Sequence, residues 1–366
     1  MRLKRNFAVL SLLLWMISPS IAQKNIRVDR NQINEIVENL KDSLKIPGIA
    51  VGIAVGDEIK YVNVFGSANL ETKTPVNINS VWQLCSVSKQ FSTVACLKLA
   101  GENKLSLQDK ISRYVDGLPE NYSEISIFHL LSQTSGIKDY LNDKGLYGVP
   151  WESVKEKVFS DTLNFRPGDA WRYSNTGFWL AAKILEKVTG MEYDRYLTQT
   201  FFDELQMTHT QRISAEQVIE SRVNGYEYRE GKFYNRIEDM HKFRGQGDGD
   251  LISTLNDLLK WNIALTQGKV VKKEMLAALW TPTKLNNGKE LEIAPNSGIN
   301  YGLGWFIKTI DGKKIVWTPG AGFGFSTSSQ FIPEYNMSIV VFCNKNEFLM
   351  ADEIGFSIFR NIAHKN

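Results

Sequence analysis

Strand-like sequence stands at both ends of this chain and helix-like sequence between them, which limits the folds open to it. Ile33, Ile36, Val37, Leu40 and Leu44 recur at helical spacing behind Asp29, a residue type suited to capping a helix, and Pro47-Gly48 stops the run. Ile49 to Val55 and Glu58 to Phe65 then read as two strands about a Gly56-Asp57 turn. The middle predicts helices near 86–100, 127–132, 151–159, 176–202, 254–266 and 272–280. Strand patterns return over 301–307, 314–318, 325–332 and 337–343, and Glu353 to His364 reads as a final helix. The expected fold is α/β (α+β). An antiparallel sheet flanked by terminal helices comes from about 29–80 and 295–366, with a mostly helical lobe, about 81–294, inserted. A cleft between two such lobes is the place to look for a ligand site.

The 366 residues carry 43 Lys+Arg against 40 Asp+Glu, a net charge of +3. That excess equals Arg2, Lys4 and Arg5, in a segment with no acidic residue that continues as an apolar run, Phe7 to Ile17, and Ser18-Pro-Ser-Ile-Ala22. Small residues at Ser20 and Ala22 fit a cleavage pattern, so residues 1–22 are expected to be a signal peptide and 23–366 a periplasmic or secreted protein. The apolar run falls short of the ~20 residues that span a bilayer, so no stable membrane span is expected. A chain balanced in charge after cleavage lacks the basic excess that nucleic acid requires. Three cysteines, Cys85, Cys96 and Cys343, do not make a disulfide scaffold, and buried free thiols are expected.

Three short motifs carry chemistry. In Ser86-Val-Ser-Lys89, positions i and i+3 of a helix share a face, so a lysine can serve as base to a serine nucleophile. Ser135-Gly-Ile-Lys138 has the same spacing. In Tyr173-Ser-Asn175, directly before a helix, Tyr173 could relay a proton, and Asn175 could hold a substrate carbonyl or position the lysine. Tyr61-Val-Asn63 and Tyr140-Leu-Asn142 match that triplet too. The third motif, Thr318-Pro-Gly320-Ala321, ends a predicted strand, where Gly320 admits a close approach and the Ala321 N–H can serve an oxyanion. Pro319, lacking an N–H, argues for an edge strand.

The order of these motifs resembles the serine β-lactamase and penicillin-binding-protein superfamily, in particular its class C-like group with DD-peptidases and esterases. The segments that carry the likeness are Cys85-Ser-Val-Ser-Lys-Gln-Phe91, His129-Leu-Leu-Ser-Gln-Thr-Ser-Gly136, Tyr173-Ser-Asn-Thr-Gly177, Gly247-Asp-Gly-Asp-Leu-Ile-Ser-Thr254 and Tyr301-Gly-Leu-Gly-Trp305. The resemblance implies a β-lactamase/transpeptidase-like fold and an exported hydrolase of an ester, amide or β-lactam. Ser86 would be the acylated nucleophile, Lys89 the base, Tyr173 a base or relay, and Asn175 a lining residue. It places His129 in a structural segment. One position departs: the third motif usually opens with Lys or His, and this chain has Thr318. A hydroxyl there forgoes a charge-assisted contact with a substrate carboxylate worth ~1.5–3 kcal/mol. That turns expectation from an efficient penicillinase toward an esterase, a peptidase of other specificity or a weak β-lactamase, with a non-catalytic peptidoglycan- or ligand-binding protein on the same fold as the alternative.

His129, His209, His241 and His364 lack metal-ligand spacing, and the glycine-rich runs lack the phosphate-loop Gly-Lys-Ser/Thr. Neither metal nor cofactor is expected, and the implied partner is a small-molecule or peptide substrate, cell-wall fragments included.

Overall fold

The computed structural model describes residues 26–146, 148–160, 162–214, 216–236, 243 and 245–365. The expected leader, 1–22, lies outside the described residues. Asp29 accepts from the Gln32 N–H and caps α1 (Arg30–Ser43), whose Ile33 and Val37 are buried. Next comes β1 (Gly48–Val55), buried along its whole length. Its odd positions Ile49, Val51, Ile53 and Val55 pack with the terminal helices, while Ala50 and Ala54 face the middle of the chain. This period of two sets large residues on one face and small ones on the other.

The strands β2 (Glu58–Asn69), β3 (Thr74–Pro75) and β4 (Val81–Gln83) follow. The middle supplies α2 (Lys89–Gly101), α3 (Ile127–Leu131), α4 (Trp151–Phe159), α5 (Asn175–Thr189) and α6 (Tyr193–Leu197). After β5 (Gln211–Arg212), β6 (Tyr226–Arg229), β7 (Lys232–Asn235) and β8 (Leu251–Thr254) come α7 (Leu255–Thr266) and α8 (Lys273–Leu279). The chain closes with β9 (Asn300–Tyr301), β10 (Phe306–Ile310), β11 (Lys313–Gly322), β12 (Phe325–Ile332), β13 (Met337–Cys343) and α9 (Met350–Ala363). Eight strands form one antiparallel sheet in the order β3-β2-β1-β13-β12-β11-β10-β9, so β1 and β13 join the two ends of the chain at its centre.

Several boundaries differ from expectation. The helix read over 176–202 breaks at Gly190, whose φ of 69° ends α5 in the left-handed region that a glycine enters without strain. The strand read over 301–307 is two, because Gly302-Leu-Gly304 turns the chain between β9 and β10. The middle is not wholly helical: β4, β8 and β5 form a three-stranded sheet, and β6 and β7 a hairpin. Most consequential for the site, β11 does not stop at Thr318 but runs through Pro319 and Gly320 to Gly322. Although β11 sits between β10 and β12, its pairing with β10 ends at Trp317, so Pro319 lies where one side of the strand is free. Among the described residues, no helix is long and apolar enough to cross a membrane.

Candidate active site

Ser86 sits in a 3-10 turn, Cys85–Ser88, that runs directly into α2. Cys85 has a φ of 49°, a strained conformation for a residue with a Cβ. The turn is held by three hydrogen bonds from two strands. Leu84 donates its N–H to the Leu251 carbonyl, Thr327 Oγ1 donates to the Leu84 carbonyl at 2.7 Å, and Ser88 Oγ accepts from the Leu251 N–H. On β11, a Cβ at Gly320 would stand 2.5 Å from that Leu84 carbonyl oxygen and 2.2 Å from Thr327 Oγ1. Glycine is what lets the strand close on the serine turn.

The side chain of Lys89, 2 % exposed, lies 3.2 Å from Ser86 Oγ and 2.7 Å from Asn175 Oδ1, and also donates to the Asp248 carbonyl. Tyr173 Oη is 2.7 Å from Ser86 Oγ. Asn175 opens α5 and donates its Nδ2 to Asp139 Oδ2 at 2.9 Å, and Tyr140 Oη donates to Asp248 Oδ2 at 2.7 Å. Burial pushes the Lys89 amine below its ordinary range, against the pull of Asp248, Asp139 and Asp250. Burial likewise raises Asp248, Asp139 and Asp250, and lifts the Tyr173 phenol so that it holds its proton.

A cavity of about 160 Å³ opens on this group, lined by Cys85, Ser86, Tyr173, Asn175, Asp248 and Ala321 together with Leu141, Asn142, Gly249 and the rings of Phe243 and Phe323. Tyr173, Ser86, Lys89 and Asn175 are thus joined in one chain of hydrogen bonds, and Ala321 lines the same space. Gly320 lies behind the cavity against the serine turn. Thr318, two residues back on the same face of β11, is 2 % exposed with its Oγ1 unpartnered among the described residues, and it does not line the cavity.

Two of the look-alike motifs go elsewhere, while Leu141 and Asn142 of Tyr140-Leu-Asn142 line the cavity. Ser135 Oγ accepts from the Ile137 N–H within its own turn. Tyr61 and Asn63 both donate to Asn34 Oδ1 and tie β2 to α1. His129 closes a capping box with Ser126 at the start of α3. The sequence assigns no role to Asp139, Tyr140 or Asp248: Tyr140 stands out only as the start of a second Tyr-x-Asn triplet, Asp248 only as part of the Gly247-Asp-Gly-Asp-Leu segment, and Asp139 not at all. Among the described residues, no cluster of His, Cys, Asp or Glu could hold a metal ion.

Residues 33–356 match the model of the Beta-lactamase family. Penicillin-binding protein 4* of Bacillus subtilis is 30% identical over 343 residues, covering 87% of this chain and 72% of that protein. Protein flp of Staphylococcus aureus is 25% identical over 324 residues, and this chain spans only 63% of its length. Among solved structures, the octameric penicillin-binding protein homologue from Pyrococcus abyssi superposes with a TM-score of 0.81 at 23% identity, over 93% of this chain and 78% of that one. With the match spanning both ends of the sheet and the segments between, the chain belongs to the Beta-lactamase family of serine β-lactamase and penicillin-binding-protein-like proteins.

Proposed function

We propose that this chain is an exported serine hydrolase that cleaves an ester or amide, β-lactams included, through an acyl-enzyme on Ser86. The carrying observation is the valence of Lys89. Asn175 Oδ1 and the Asp248 carbonyl can only accept, so they take two N–H bonds and leave the third position of the nitrogen facing Ser86 Oγ. In the amine form, which burial favours, that position is a lone pair, and Lys89 takes the serine proton. Tyr173, kept neutral, donates to Ser86 Oγ and is placed to protonate the leaving group. The Oγ–carbonyl bond forms, the bond to the leaving group breaks, and the oxyanion rests on the N–H groups of Ser86 and Ala321. Water then releases the acid.

Among the described residues, the lining includes no Lys or Arg, and Thr318 adds none. This favours substrates without a carboxylate beside the scissile bond. The leader over 1–22, with cleavage after Ala22, supports a periplasmic or secreted location. Incubation with a fluorophosphonate or a labelled penicillin, read by intact mass, tests the reading. One adduct is expected on the wild type and none on Ser86→Ala; an unlabelled wild type or an equally labelled variant overturns it.

A further inference from the structure

We infer that Asp139 and Tyr140 are paired positioning residues that aim Lys89 at Ser86, each by fixing one of the two other acceptors on the lysine. The inference rests on the roles proposed for Ser86 and Lys89. A lysine carries a flexible four-carbon stem and three rotatable donors, so a single partner does not orient it. Here the first acceptor, the Asn175 amide, has two orientations, of which only one presents an oxygen to the lysine. The Asp139 carboxylate selects that one by accepting from Asn175 Nδ2 at 2.9 Å. Asp139 is itself held by the Leu141 N–H at 2.9 Å and Asn142 Nδ2 at 2.8 Å, while its own N–H donates to Asp143 Oδ2.

The neighbouring residue serves the second acceptor. Tyr140 Oη donates to Asp248 Oδ2, bracing the residue whose carbonyl takes the lysine, and the Tyr140 N–H donates to Thr176 Oγ1 beside Asn175. Both ends of the clamp therefore start from one dipeptide, each residue of which is 1 % exposed. Asp139 and Tyr140 act through other residues and do not touch the reacting atoms.

The charged and titratable groups around Lys89 are Asp248, Asp139, Asp250 and Cys85, with Tyr173 above the same serine. An asparagine at 139 has one oxygen for the three donors that two carboxylate oxygens now serve, and it removes a negative charge that holds the proton on Lys89. Asp139→Asn is therefore expected to lower kcat for a p-nitrophenyl ester about tenfold with KM little changed, and to move the acidic limb of kcat/KM to lower pH. Tyr140→Phe is expected to lower kcat in the same way. Asn175→Asp sets two carboxylates against each other, whereas Asp139→Asn with Asn175→Asp restores one donor facing one acceptor. The double variant should exceed Asn175→Asp alone in kcat and in fluorophosphonate labelling rate. A structural role for the loop would lower the melting temperature and leave the pH limb in place. A double variant no better than Asn175→Asp, or an unmoved limb in Asp139→Asn together with unchanged kcat in Tyr140→Phe, overturns the inference while a labelled wild type keeps the Ser86 reading. An unlabelled wild type removes both. Should Asp139→Asn fail to fold, Tyr140→Phe and the double variant decide.

Discussion

Thr318 and Gly320 lie on one face of β11, the face that closes on the serine turn, and they differ in what a change there would do. Any side chain at 320 meets the Leu84 carbonyl and Thr327, so that position has no latitude. At 318 the hydroxyl is buried and, among the described residues, unpartnered, and a longer side chain would start two residues from Gly320, directed to the same side. Thr318→Lys would supply the cation that a carboxylate-bearing substrate needs. Its acylation by nitrocefin is expected to rise ~10-fold or more, the kinetic equivalent of a charge-assisted hydrogen bond, while turnover of a neutral p-nitrophenyl ester stays close to wild type. Equal nitrocefin rates in the two proteins would show that the missing charge is not what sets specificity. At this scale Ser86-Val-Ser-Lys89 was readable because three residues of helix bring serine and lysine together without help from the rest of the chain. Asp139 and Asp248 were not readable, since an acid earns its role only from what is folded against it.

Elements bring a second set of buried polar groups together away from the site. Asp352 in α9 is 1 % exposed and accepts from Ser328 Oγ at 2.6 Å, while its carbonyl accepts from Gln330 Nε2 and the Ala351 N–H reaches Ser326 Oγ. Alternate residues of β12 thus fasten the last helix to the strand beside β11. Burial pushes the Asp352 carboxyl up to about 8, with Ser328 and Lys308 opposing the shift and Glu353 adding to it. A carboxyl raised in the folded state favours folding fully below its unfolded value, and that contribution is lost as pH rises through the folded one. Asp352→Asn has no such loss. The melting temperature of the variant relative to wild type should therefore climb between about pH 4 and 8, with wild type losing up to about 1.4 kcal/mol per pH unit. A gap that stays constant across this range would contradict the burial argument. The helical and strand periods made most elements legible, but not their ends. Nothing in the period announces that β11 continues past Thr318, because Pro319 is tolerated only where β10 has already stopped pairing.

Over the whole molecule, the two ends of the chain are one structural unit. β13 pairs with β1 from the start of the chain and with β12 from the end, and α9 packs with α1 on the same face of the sheet. Removing residues 337–366 deletes the strand joining these halves, so the shortened chain should lose cooperative thermal unfolding and all fluorophosphonate labelling. A truncated protein that still melts in one transition and still labels would show that the site-bearing middle folds independently. The alternation of apolar residues at both ends, with helices between, already implied such a sheet, because a strand must bury its apolar face against something. The local motifs likewise named the chemical groups. Choosing among them was beyond sequence spacing: Tyr173-Ser-Asn175 and Tyr140-Leu-Asn142 are equivalent as triplets, yet the tyrosine of one meets Ser86 and that of the other meets Asp248. Lys89 finds its acceptors 86 and 159 residues away, and contacts that remote exist only once burial has brought the segments together and made each buried donor require a partner.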